Sequence, residues 1–145
     1  MMVTRDGTRF CSGTMINNAE GDRRQLFLTA NHCMGGSAFN YVAVFNYQLS
    51  QCNPEEPVNE PVTTHSASGM RLLASWAPSD FALLEIIEKI PKEYNVFLAG
   101  WNTLNVPSSN VHGIHHPSCD VKKITYYNGT LRRHSWDEAP RQLHW

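Results

Sequence analysis

The chain has 145 residues, with 12 Lys and Arg against 13 Asp and Glu and a formal net charge of −1. That length is about one domain, and a domain of this size buries roughly 68–70% of its unfolded surface. The balanced charge argues against nucleic acid or an anionic membrane as the main partner, because both reward a clustered basic excess.

The opening "MMVTRDGTRF" lacks the apolar run of a secretory signal peptide, so the sequence reads either as cytosolic or as lacking its true beginning. "FCSGTMI" (10–16) is a predicted strand, followed by the turn-rich "NNAEGD". "QLFLTA" (25–30) is a compact strand. In "FNYVAVFNY" (39–47), alternation puts Phe39, Tyr41, Ala43, Phe45 and Tyr47 on one face and Val42 and Val44 on the other. "NPEEPVNEPVTT" (53–64) carries three prolines and reads as a surface loop. "MRLLASW" (70–76) and "FALLEII" (81–87) are predicted strands, and the second is apolar enough to be fully buried. "VFLAGW" (96–101), "HGIHH" (112–116) and "KKITYY" (122–127) follow, and the periodicity fades after Asn128. Trp76, Trp101 and Trp145 read as core or interface residues. No run reaches the ~18 apolar residues of a spanning helix, and no repeat or heptad is visible. Many short strands between turns place the chain in the all-β class, as a sandwich or barrel.

The four cysteines are Cys11, Cys33, Cys52 and Cys119. They form no C-x-x-C pair, so a zinc ribbon or thioredoxin-like motif is not supported. Wide spacing in a β-rich chain reads instead as disulfide partnership in an oxidising compartment. "NGT" at 128–130 is a glycosylation acceptor, which fits export.

The chemistry concentrates in "LTANHC". His32 follows a strand end, where a loop presents it while the strand fixes its position. Imidazole accepts and returns a proton near neutrality, and a base of this kind needs a carboxylate to orient its far ring nitrogen. Asp80, in "PSDFALLEII", opens a strongly apolar strand and is the favoured candidate; Asp6, Asp22, Asp120 and Asp137 lie in polar stretches. Cys33 is then structural, with Cys11 as its expected partner, clamping the base of the histidine loop. "HGIHHPSCD" offers His112, His115, His116 and Cys119 as conceivable zinc ligands, but no second cluster completes a recognised spacing, so no metal is expected.

In order along the chain, "CSGTMI", "LTANHC" and "DFALLE" resemble the trypsin-like serine endopeptidases. The blocks "GTMINN…DRRQLFLTANHC", "VFNYQLSQC", "SDFALLEI", "FLAGWN" and "GIHHPSCDVKKI" are most similar to the secreted bacterial lysyl endopeptidase group and together cover most of residues 10–125. The resemblance implies a trypsin-like double β-barrel, with residues 1–90 as the first barrel and 91–145 as a linker and partial second barrel. It maps His32 onto the general base, Asp80 onto its orienting carboxylate, and Cys11–Cys33 onto the disulfide beside the histidine. Cys52 matches a cysteine whose family partner lies near the mature N-terminus, while Cys119 departs from the pattern and reads as a free thiol or a partner for Cys52. Trp136 matches, loosely, an aromatic residue near the catalytic histidine. The implied protein is secreted, monomeric when complete, free of cofactors and directed at polypeptides.

One feature of the family pattern is missing. No Gly-(Asp/Ser)-Ser-Gly segment occurs between residue 81 and Trp145, so the serine nucleophile is not in this chain. The expectation is the N-terminal part of a serine endopeptidase, inactive by itself. The competing expectation is a non-catalytic, protease-like binding module.

Overall fold

The computed structural model of the chain describes residues 1–52 and 63–132; Trp136, Trp145 and most of the proline-rich loop lie outside them. The described residues are all-β, with ten strands and only single-turn 3-10 segments between them. The strands are β1 (Met2–Thr4), β2 (Arg9–Cys11), β3 (Thr14–Ile16), β4 (Leu26–Ala30) and β5 (Tyr41–Val44). They continue with β6 (Ser66–Ser68), β7 (Met70–Trp76), β8 (Phe81–Ile86), β9 (Ser109–His115) and β10 (Lys123–Thr130). No helix among the described residues is long and apolar enough to cross a membrane.

Two four-stranded antiparallel sheets carry the core, in the orders β2-β1-β5-β6 and β3-β4-β8-β7, and β9 and β10 form a separate hairpin. One buried cluster joins the two larger sheets. Met2, Tyr41, Ala43 and Ala67 come from the first, and Met15, Phe27, Met70, Leu84 and Ile86 from the second. Alternation along each strand delivers these side chains to the shared interior, since successive residues of a strand point to opposite faces. Two of these strands escape sequence reading. β1 is too short to show a period although Met2 is fully buried, and β6 is "SAS". The β1–β2 connection is a turn at "RDG", with Gly7 at φ +89 and the Asp6 carboxylate accepting from the Thr8 backbone N–H at 3.1 Å.

Several strand expectations need correction. "FCSGTMI" is two strands, broken at Ser12 and Gly13. "FALLEII" is not buried on both faces: Ala82, Leu84 and Ile86 enter the core, whereas Phe81, Leu83 and Glu85 face a partly solvated surface. There Glu85 receives Arg24 Nε at 2.5 Å and is bonded by Arg71, and these hydrogen bonds hold its carboxyl well below the usual range, at about 2. In 39–47 the alternation breaks at Asn46, whose φ is +56. Tyr47 therefore joins a second buried cluster with Met1, Val3, Val44 and Val121, not the face of Tyr41 and Ala43. "VFLAGW" is not a strand; only Ala99 bridges, to Ile16. Trp76 and Trp101 are more than half exposed rather than core, although the Trp101 indole N–H donates to the Asn17 carbonyl at 2.9 Å.

Gly13 lets the chain turn between β2 and β3. A Cβ at that position would lie 2.2 Å from the buried Phe27 ring and 3.0 Å from the Leu28 carbonyl oxygen. Gly13→Ala must therefore displace the ring, and we expect it to cost roughly 1–3 kcal/mol, read as a lower urea midpoint. An unchanged midpoint would contradict this packing.

Candidate functional site

The pairing of β4 with β8 builds the site. Their antiparallel register runs from Leu26 opposite Glu85 to Ala30 opposite Phe81. One further backbone hydrogen bond, from Asn31 N–H to the Asp80 carbonyl at 3.0 Å, extends the ladder past the strand ends. His32 follows Ala30 by two residues in a 3-10 turn, and Asp80 immediately precedes Phe81. The ladder thus sets the two side chains face to face although 48 residues separate them.

Asp80 uses both carboxylate oxygens on His32. The His32 backbone N–H donates to Oδ1 at 2.8 Å, and the ring Nδ1 lies 2.6 Å from Oδ2. A carboxylate only accepts, so Nδ1 carries the hydrogen, and in the neutral ring Nε2 keeps its lone pair. Asp80 closes its own 3-10 turn in the left-handed region, at φ 52 and ψ 39, a conformation aspartate tolerates better than most side chains. Partial burial works to raise its carboxyl, but hydrogen bonds from the His32 backbone and ring, and from Asn31, outweigh this and lower it. The Asp80 side chain is 39% exposed and that of His32 72%, because the pair caps the rim of the sheet instead of lying beneath it.

Behind the pair, Cys11 of β2 and Cys33 are joined by a disulfide, with Cα atoms 6.3 Å apart. It ties the histidine turn to the neighbouring sheet. Two residues not singled out from sequence reinforce this joint. Buried Thr29 donates its hydroxyl to the Ser12 carbonyl at 2.8 Å, and the Ser12 hydroxyl accepts from the His116 backbone N–H at 2.9 Å. A threonine inside the run "LFLTA" is the available signal, since a buried hydroxyl needs a partner. Beside this joint lies a cavity of about 360 Å³, lined in part by Ser12, Phe27, Phe97, Ile114 and His116.

The remaining candidates are dispersed. His112 packs on Tyr126 and His116 on Tyr47, with ring centroids 4.8 and 5.8 Å apart. Burial, aided by neighbouring cationic groups, lowers His116 to about 4, so it is neutral at physiological pH. Cys52 is exposed and Cys119 half-buried, and both are free thiols. Trp136 lies outside the described residues.

An antiparallel all-β chain with a disulfide beside a His–Asp pair is consistent with a barrel of the trypsin-like kind, and the comparisons give its lineage. The family model described as lysyl endopeptidase, C-terminal domain, matches residues 1–145. A lysyl endopeptidase of Pseudomonas aeruginosa is 32% identical over 126 residues, which is 84% of this chain and 27% of that relative. The chain belongs to the lysyl endopeptidase family and hence to a serine-endopeptidase lineage. It spans about a quarter of that relative's length.

Replacing His32 removes a ring hydrogen bond and its charge from Asp80. We expect His32→Ala to raise the Asp80 pKa toward the ordinary carboxylate value, measured by carbon-13 NMR titration. Because the folded pKa is depressed, the stabilisation is present above the unfolded value of about 3.9 and is lost as pH falls through the folded one. His32→Ala should therefore flatten stability against pH in that acid window. An unmoved Asp80 titration would show that the pair is not coupled.

Proposed function

We propose that residues 1–145 form the opening part of the catalytic unit of a secreted serine endopeptidase, with His32 as general base and Asp80 as its orienting carboxylate. The observation that carries this reading is the 2.6 Å contact between His32 Nδ1 and Asp80 Oδ2. With Nδ1–H held by the aspartate, Nε2 takes the proton of a serine hydroxyl as it attacks the substrate carbonyl. It then returns that proton to the leaving amine, and the cycle repeats with water to hydrolyse the acyl-enzyme. Asp80 stays ionised and stabilises the imidazolium that forms. Serine and oxyanion donors come from outside residues 1–145, because no Gly-(Asp/Ser)-Ser-Gly occurs after residue 81. The 145-residue chain alone is accordingly inactive towards peptides.

In this reading residues 1–90 are the first barrel, and 91–145 are a linker and the first strands of a second. The bound polypeptide is cut after lysine or another basic residue, a preference taken from the name of the Pseudomonas relative. A second reading, a non-catalytic module that binds a protein partner, draws on the β9–β10 hairpin, which exposes Ile114, Ile124, Tyr126 and Tyr127.

The codons that follow Trp145 separate the two. A continuing frame that encodes Gly-x-Ser-Gly supports the peptidase; an immediate stop in a well-expressed message favours the module. In the longer product, we expect His32→Ala and Asp80→Asn each to lower kcat on a lysyl peptide by about 10,000-fold. Undiminished turnover in either variant would overturn the assignment.

A further inference from the structure

We propose that, when the Cys11–Cys33 bond is reduced, the two thiolates and His32 make a site for a thiophilic divalent cation such as zinc, and that the bound cation caps the histidine. Ligand atoms of these three side chains all lie within 4.8 Å of one another. Zinc holds sulfur at about 2.3 Å and imidazole nitrogen at about 2.0–2.1 Å, which spaces tetrahedral ligands roughly 3.3–3.8 Å apart. Breaking the sulfur–sulfur bond frees the two sulfurs to part towards that spacing, and the exposed ring has room to bring a nitrogen to them.

A second, independent observation points the same way. Asp80 already occupies Nδ1 of His32, so the nitrogen left for a metal is Nε2. A carboxylate on the far nitrogen of a ligating histidine is the usual outer-shell support of a zinc site, fixing the tautomer and raising ligand basicity. Cys33 is buried and gives the site a dry floor, while the exposed His32 ring leaves a way in and room for water as fourth ligand. For reduction, a dithiol delivers two electrons and two protons to the bridging sulfurs and becomes a disulfide itself. Metal binding then displaces the two thiol protons. The disulfide form has no thiolates and cannot hold the cation.

The site needs only these side chains and goes beyond the peptidase reading; its consequence rests on that reading. A metal on Nε2 uses the lone pair that would accept the serine proton, so the reduced protein is inhibited; a small-molecule disulfide that takes two electrons from the thiolates re-forms the bridge, leaves as two thiols and releases the cation.

The test uses the chain carrying Cys52→Ser and Cys119→Ser, reduced with a dithiol, freed of reductant under argon and titrated with cobalt(II). We expect one equivalent to bind with a sulfur-to-cobalt charge-transfer band that is absent from the oxidised chain and is displaced by zinc. His32→Ala should weaken binding by at least about 10-fold, and Asp80→Asn by about 10- to 100-fold. No band in the reduced chain, or undiminished affinity in either variant, overturns the proposal. The second outcome is what two thiolates in an unfolded chain would give, where Asp80 is 48 residues from His32. The readout is spectroscopic and involves no peptidase activity, so it stands or falls apart from the catalytic assignment.

Discussion

Five residue pairs between β4 and β8 set the geometry on which the rest depends. Their register does two things at once. It sends Phe27 and Leu84, directly opposite each other, into the buried core, and it carries the chain past Ala30 and Phe81 so that His32 meets Asp80. A slip of one residue would turn every core side chain of one strand toward solvent. The same apolar burial that holds the sheet together therefore also fixes the polar pair at its rim.

Other contacts make that rim rigid. A disulfide across a 22-residue separation contributes roughly 3 kcal/mol on a chain-entropy model, and it anchors the residue next to His32. Thr29 and Ser12 form a chain of hydrogen bonds from β4 through the β2–β3 turn to His116. That turn depends on Gly13, where the Phe27 ring leaves no space for a side chain. Core, bridge and polar relay thus converge on the few residues that hold the imidazole. The His32 side chain itself remains largely exposed.

The all-β class was readable because short apolar runs alternate with turns, and runs such as "QLFLTA" contain too few residues for a helix. The family was readable because the quoted blocks occur in order. Residue patterns failed where the physics is local or tertiary. "VFLAGW" has a strand's composition, but only Ala99 finds a backbone partner. The apolar length of "FALLEII" hid a solvated outer face carrying Glu85 between two arginines. The left-handed Asn46 reverses the facing of Tyr47, and nothing in the alternation of "FNYVAVFNY" announces it. No periodicity links residues 32 and 80; an imidazole's need for a carboxylate, the place of Asp80 at the mouth of an apolar strand and the family resemblance pointed there, and the β4–β8 register supplies the physical reason for their meeting. The roles of Ser12 and Thr29 depend on partners in other strands and left little trace in the sequence.

A hydrogen held between two electronegative atoms 2.6 Å apart is strongly deshielded, so the His32–Asp80 contact has its own spectroscopic mark. Proton NMR of the chain labelled with nitrogen-15 histidine observes it directly. A far-downfield Nδ1–H resonance that is split by nitrogen-15, assigned to His32 by its loss in His32→Ala and abolished in Asp80→Asn, is the predicted result. A His32 Nδ1–H signal that is undisturbed in Asp80→Asn would contradict the pairing from which the rest of the functional argument is built.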